Sequence, residues 1–121
     1  MREYVQGQRM RAKTSVETEF PLRRLEYTFV HEDAPGETMT ISHEVTPPSE
    51  GSIEVLLNQE IPRGQALGVY RLGSVIAYPA DAGEPVEVVT EEIRNDTAFR
   101  VVLRSDKPPH ASGWEYEPVT P

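Results

Sequence analysis

The segment Gly68-Val-Tyr-Arg-Leu-Gly-Ser-Val-Ile-Ala-Tyr-Pro-Ala-Asp-Ala-Gly83 reads as a strand entered through a Gly-x-Tyr-x-Leu corner and closed by a Pro/Asp/Gly turn. Tyr, Val and Ile populate pleated, half-buried surface, and Pro, Asp and Gly supply the backbone angles of a tight turn. Such a segment belongs to an all-β domain, and it holds no catalytic constellation.

Working outward, the flanking chain repeats this punctuation. Downstream, Val86-Glu-Val-Val-Thr90 reads as a hairpin partner. Residues 91–95 are open between a short turn and a bulged continuation, and Phe99, Val101 and Leu103 make a last strand with Arg100 and Arg104 on its opposite face. Upstream, Ile53, Val55, Leu57 and Ile61 form a run stopped by Pro62-Arg-Gly64. Before it, Pro47-Pro-Ser-Glu-Gly51 breaks a strand in which Met39, Ile41, His43 and Val45 alternate with polar residues. Leu25, Tyr27 and Phe29 form a strong strand ended by Glu32-Asp-Ala-Pro-Gly36, and Met10, Ala12, Thr14, Val16 and Thr18 form a weaker first one. No apolar stripe has helical spacing. Strands at this spacing predict a sandwich or barrel.

Bulk properties bound the function. The chain has 121 residues, 37% apolar and 26% charged, enough for one domain with its own core. Without cysteine, disulfides and thiolate metal sites are excluded. No apolar run is long enough to span a membrane, and residues 1–10 lack the apolar core of a secretory signal, so a cytoplasmic location is expected. Residues 1–24 carry six cationic and three acidic side chains, a net +3; the remaining 97 carry six and seventeen, a net −11. An acidic body repels nucleic-acid phosphates and lipid headgroups, so neither is an expected partner. The basic segment is either solvated surface or a dock for the acidic body of the same or another subunit.

The stretch from Leu22 to Val88 resembles the immunoglobulin-like modules of many bacterial proteins. The residues carrying the likeness are Leu25-Glu-Tyr-Thr-Phe29, Gly51-Ser-Ile-Glu-Val55, Ile61-Pro-Arg-Gly64, Gly68-Val-Tyr70-Arg-Leu72, Ser74-Val-Ile-Ala77 and Asp81-Ala-Gly83. The resemblance implies an antiparallel, two-sheet, immunoglobulin-like β-sandwich of about seven strands over residues 21–105. Residues 1–20 would form an extended N-terminal arm or first edge strand, and 106–121 a Pro-rich C-terminal tail with aromatic anchors. It also implies that Tyr70 is buried and bonded to backbone a few residues upstream, near 62–65, with Gly68 and Leu72 as structural neighbours. Leu72 stands where antibody domains have their second cysteine, and Met39 and Ile41 stand where a tryptophan would be.

Candidate chemistry is sparse. Gly73-Ser74 lies mid-strand without the second glycine of a nucleophile elbow, which favours a bulge or close contact. His31, His43 and His110 lack metal-ligand spacing, Glu91 and Glu92 point to opposite faces of a strand, and Glu32 and Asp33 fit turn chemistry. No enzyme activity, metal or cofactor is expected. Two surface features remain as candidate partner contacts. Arg71, Arg100 and Arg104 would line one sheet face as a cationic strip, unless cross-strand carboxylates such as Glu87 or Glu91 pair them. Trp114 and Tyr116 would share one side of an extended tail, there to pack onto the domain, extend a sheet, anchor a protein or stack on a sugar. The expected function is a non-enzymatic protein-interaction or structural module, binding another protein through a sheet face or edge. A homo-oligomeric structural component, of a phage or another assembly, and a carbohydrate-binding sandwich that also uses Tyr78 are the alternatives.

Overall fold

The computed structural model describes residues 1–88 and 98–103. They contain six strands: β1 (Arg2–Val5), β2 (Arg9–His31), β3 (Thr38–Glu60), β4 (Gly68–Pro79), β5 (Val86–Glu87) and β6 (Phe99–Val102). All six belong to one mixed sheet in the order β1-β6-β4-β2-β3, with β5 added to β4. The fold is all-β. The expected arrangement of two antiparallel sheets differs from this ladder in two respects: the hydrogen bonding is continuous, and β1 runs parallel to β6.

Two of the strands are 23 residues long. The two runs on either side of Phe20 are thus one strand, β2, and the runs on either side of the Pro47 stretch are one strand, β3. The prolines are tolerated because they fall where the ladder is interrupted. Pairing steps from Thr18↔Gly51 to Leu22↔Ser49 and then to Arg24↔Glu44, so Val45, Thr46, Pro47 and Pro48 have no partner on β2. A missing backbone N–H costs nothing at such a bulge.

The same interruption reverses which side chains face the core. On β2 the inward set is Met10, Thr14, Val16, Thr18 and Leu22, then Leu25, Tyr27, Phe29 and His31. It also bends the ribbon. The Thr14 hydroxyl lies 2.8 Å from the Tyr27 hydroxyl, although 13 residues separate them along one strand. Extended chain of that length spans about 43 Å, far beyond the reach of two side chains. The ribbon formed by 9–18 and 51–60 therefore folds back over the layer formed by 24–31, 38–45, β4 and β6. Val16, Val55 and Leu57 from the folded-back half join Tyr27, Phe29, Tyr70, Leu72 and Phe99 in one buried cluster.

A second bulge re-aims β4. Thr28 pairs with Ser74 but Phe29 pairs with Leu72, leaving Gly73 as the extra residue. A Cβ on Gly73 would lie 2.8 Å from a Val30 methyl, so glycine permits the close approach of β2. Inward residues switch there from Tyr70 and Leu72 to Val75, Ala77 and Pro79. The turn at Asp81 follows, its carboxylate accepting from the Gly83 amide at 3.0 Å. Residues 1–20 supply β1, at the edge of the sheet, and the first half of β2, burying Val5, Met10 and Val16.

Candidate functional site

The longest unpaired backbone among the described residues is the outer edge of β3. This strand ends the sheet order, so its second row of N–H and C=O groups meets no other described strand. Its 23 residues include Glu44, Glu50, Glu54 and Glu60 and no Lys or Arg. Sheet edges are commonly short or guarded by lysine, because an open edge recruits other strands. This one is long, uniformly acidic and broken only near Pro47 and Pro48. Leu56 stands on its outward face and is 57% exposed, an apolar foothold between Glu54 and Asn58.

Across the ribbon, Arg9, Arg11 and Lys13 occupy successive outward positions on β2, opposite Glu60, Asn58 and Leu56. Arg9 donates to the Asn58 side-chain oxygen at 3.1 Å. A cleft of about 130 Å³ between β1 and β2 is lined by Arg2, Arg11 and Lys13 together with Tyr4, Met10 and Phe99. Arg2 donates to the Arg11 carbonyl, and the Tyr4 hydroxyl donates to the same oxygen at 3.0 Å. The period-two spacing of Arg9, Arg11 and Lys13 was the available signal for this cationic row; the contribution of Arg2 depends on how β1 folds against β2.

The Arg71–Arg100 strip is only partly assembled. Val69 pairs with Arg100, which sets Arg100 and Arg71 on the same face of β6 and β4. Each has a carboxylate: Arg71 lies 3.7 Å from Glu32, and Arg100 lies 3.6 Å from Glu3. These pairs are about half exposed and contribute little stability. The partners come from the β2–β3 turn and from β1, rather than from Glu87. Arg104, Trp114 and Tyr116 lie outside the described residues, as do 91–95. Tyr78 has the Arg24 guanidinium 4.1 Å from its ring centroid, a cation–π contact occupying one ring face. The Nε atom of Arg24 is buried without a hydrogen-bond partner among the described residues.

Tyr70 is fully buried, and its hydroxyl donates to the Ala66 carbonyl at 2.7 Å and accepts from the Gln65 amide at 2.9 Å. Its ring stacks on Phe99 and meets His31 edge-on. Leu72 is buried beside it. His31 closes the corner. Its Nδ1 accepts from the Asp33 and Ala34 amides at 3.0 and 3.1 Å, so Nε2 carries the proton and donates to the Leu67 carbonyl at 2.7 Å. Gly68 has φ +134°, and a Cβ there would lie 2.3 Å from His31 Nε2. Only glycine fits against the imidazole.

Metal-binding geometry is absent among the described residues. No group of three His, Cys, Asp or Glu side chains is placed to hold a metal ion. His43 pairs with Leu25 in the ladder, and Ser74 lies opposite Thr28 on the other side of β2. No described helix is long and apolar enough to cross a membrane.

No family model and no curated protein matches the chain. Among solved structures the chain is similar to a family 123 glycoside hydrolase from Clostridium perfringens, with 13% identity and a TM-score of 0.36. The match covers 85% of this chain and 23% of that one. A likeness at this level carries no argument about fold or activity.

Proposed function

We propose that the chain is a non-enzymatic protein-interaction or structural module whose working surface is the outer edge of β3. The observation that carries this reading is the 23-residue strand at the end of the sheet, with four glutamates and no cation. Main-chain groups on such an edge supply affinity for an added strand, and alternate side chains supply selectivity. The glutamates select a basic extended segment, and exposed Leu56 gives it an apolar contact.

Hydrogen exchange of the chain with and without a basic, β-prone peptide such as alternating Lys-Val tests the reading. The outer-edge amides of β3 exchange quickly in the free protein and become protected in the complex. Binding that protects other strands and leaves β3 unchanged overturns it.

A second copy as partner is favoured by one observation: the acidic β3 edge and the Arg9, Arg11 and Lys13 row occupy one two-stranded ribbon and are complementary in charge. Light scattering over a range of concentration and salt separates the two. Mass that rises with concentration and falls with salt supports self-assembly, and a constant monomer removes it. For the fold we retain the immunoglobulin-like sandwich as a proposal, supported by the Tyr70 corner and by the two packed layers of strands.

A further inference from the structure

The cleft between β1 and β2 concentrates positive charge in a protein of net charge −8. Three of its wall residues, Arg2, Arg11 and Lys13, are cations, and no carboxylate lines it among the described residues. Acidic residues outnumber basic ones 20 to 12 in the chain, so an all-cationic wall goes against the composition. Arg11 and Lys13 form no ion pair among the described residues, whereas the Arg100 and Arg71 guanidinium groups nearby each sit by a glutamate. Arg2 is held over the cleft by its bond to the Arg11 carbonyl. The floor is apolar: Met10 is 1% exposed, and Phe99, also 1% exposed, packs edge-on against Tyr4 with ring centroids 5.9 Å apart.

From this we infer that the cleft is an anion site that takes one carboxylate or phosphate group carried on a short apolar neck. Cations grouped beside low-dielectric walls raise the local concentration of an anion. Guanidinium groups match the oxygen spacing of both anions. The volume of about 130 Å³ corresponds to roughly four waters, too small for a drug-sized ligand and enough for one acidic head group. The site needs no strand added at the β3 edge, although Arg11 and Lys13 also belong to the row that the second-copy reading sets against that edge.

Titration of the ¹⁵N-labelled chain with inorganic phosphate, with acetate and with a blocked Gly-Glu-Gly peptide tests the inference, using sodium chloride at matched ionic strength as the control. Saturable shifts are expected at the Arg11, Ala12, Lys13 and Phe99 amides, with at least a tenfold weaker Kd in Arg11→Gln/Lys13→Gln. The relative affinities of phosphate, acetate and the peptide then identify a phosphate, a free carboxylate or an acidic side chain as the preferred source. Identical shifts with chloride, or saturation that survives in the double variant, overturn it. Folding of the variant is checked by its Tm. Without ligand it should lie close to that of the parent, because both side chains are exposed, and only the parent should gain Tm on adding phosphate.

Discussion

One strand lives in two environments. Residues 24–31 of β2 lie between β3 and β4, while residues 9–18 of the same strand have β3 on one side only. The inward faces of the two halves are alike: buried Leu25, Tyr27 and Phe29 in one, buried Met10, Thr14 and Val16 in the other. The outward faces differ. Arg24, Glu26, Thr28 and Val30 are half-buried, whereas Arg9, Arg11, Lys13, Ser15 and Glu17 are exposed. Alternation thus reports which way a strand faces, and the reverse face reports how many neighbours it has. The inner half is held by the sheet, and the outer half only by β3 and by the layer beneath it.

Removing Phe99 should damage this division most, from the side of the sheet. Its ring meets Tyr4, Phe29 and Tyr70, so Phe99→Ala should cost about 3–5 kcal/mol and destabilise both halves together. Urea denaturation followed by circular dichroism measures it, and a loss under 1 kcal/mol would contradict the packing.

The seam between the halves is tested next. Thr14→Val leaves the Tyr27 hydroxyl buried without its partner and should cost about 1–3 kcal/mol. Adding Tyr27→Phe should recover much of that loss, because no orphaned hydroxyl remains. In the single variant, amide exchange should accelerate in 9–18 before 24–31. Equal acceleration in both would show that the two halves unfold as one unit.

Tyr70→Phe probes the corner of the inner half alone. It removes the bonds to Ala66 and Gln65 while keeping the ring stack, a loss of about 1 kcal/mol by the same denaturation measurement. Exchange in 9–18 should not change.

The smallest effect is at high pH. Burial pushes the Tyr27 phenol above its ordinary value of 10.0, and the bond with Thr14 offsets part of that rise. Because the folded state holds this proton more tightly, stability is unaffected below pH 10 and declines as pH rises from there through the folded value. Comparing urea midpoints at about pH 9 and about pH 11 in the parent and Tyr27→Phe isolates the contribution. An equal decline in both would assign it to other groups.

Much of this was legible because inward positions follow from period-two alternation alone. Leu25, Tyr27, Phe29, Met39, Ile41, Phe99 and Val101 are all buried where the pattern puts them, and Gly73, read from its mid-strand place as a bulge or close contact, is both. Strand ends were less legible. Pro47, Pro48 and Gly51 read as a stop, yet a strand can pass through prolines when its ladder is already interrupted and its outer side is unpaired. Long-range pairing was not legible either. That Arg2 would share a cleft with Lys13, or that Arg100 would meet Glu3 rather than Glu87, depends on where β1 lands, which no local pattern encodes.

The parallel β1/β6 pair has a kinetic meaning. Arg2 pairs with Phe99, so the two strands come from opposite ends of the described chain. The β2–β3 hairpin can zip outward from its turn through successive short loops, whereas the β1/β6 ladder forms only by closing a loop from residue 2 to residue 99. Closing so large a loop delays the step, and domains dominated by such non-local contacts fold in milliseconds to seconds. Stopped-flow refolding should show β1 amides gaining protection last, with the edge-on contact of Tyr4 and Phe99 forming at the end of assembly.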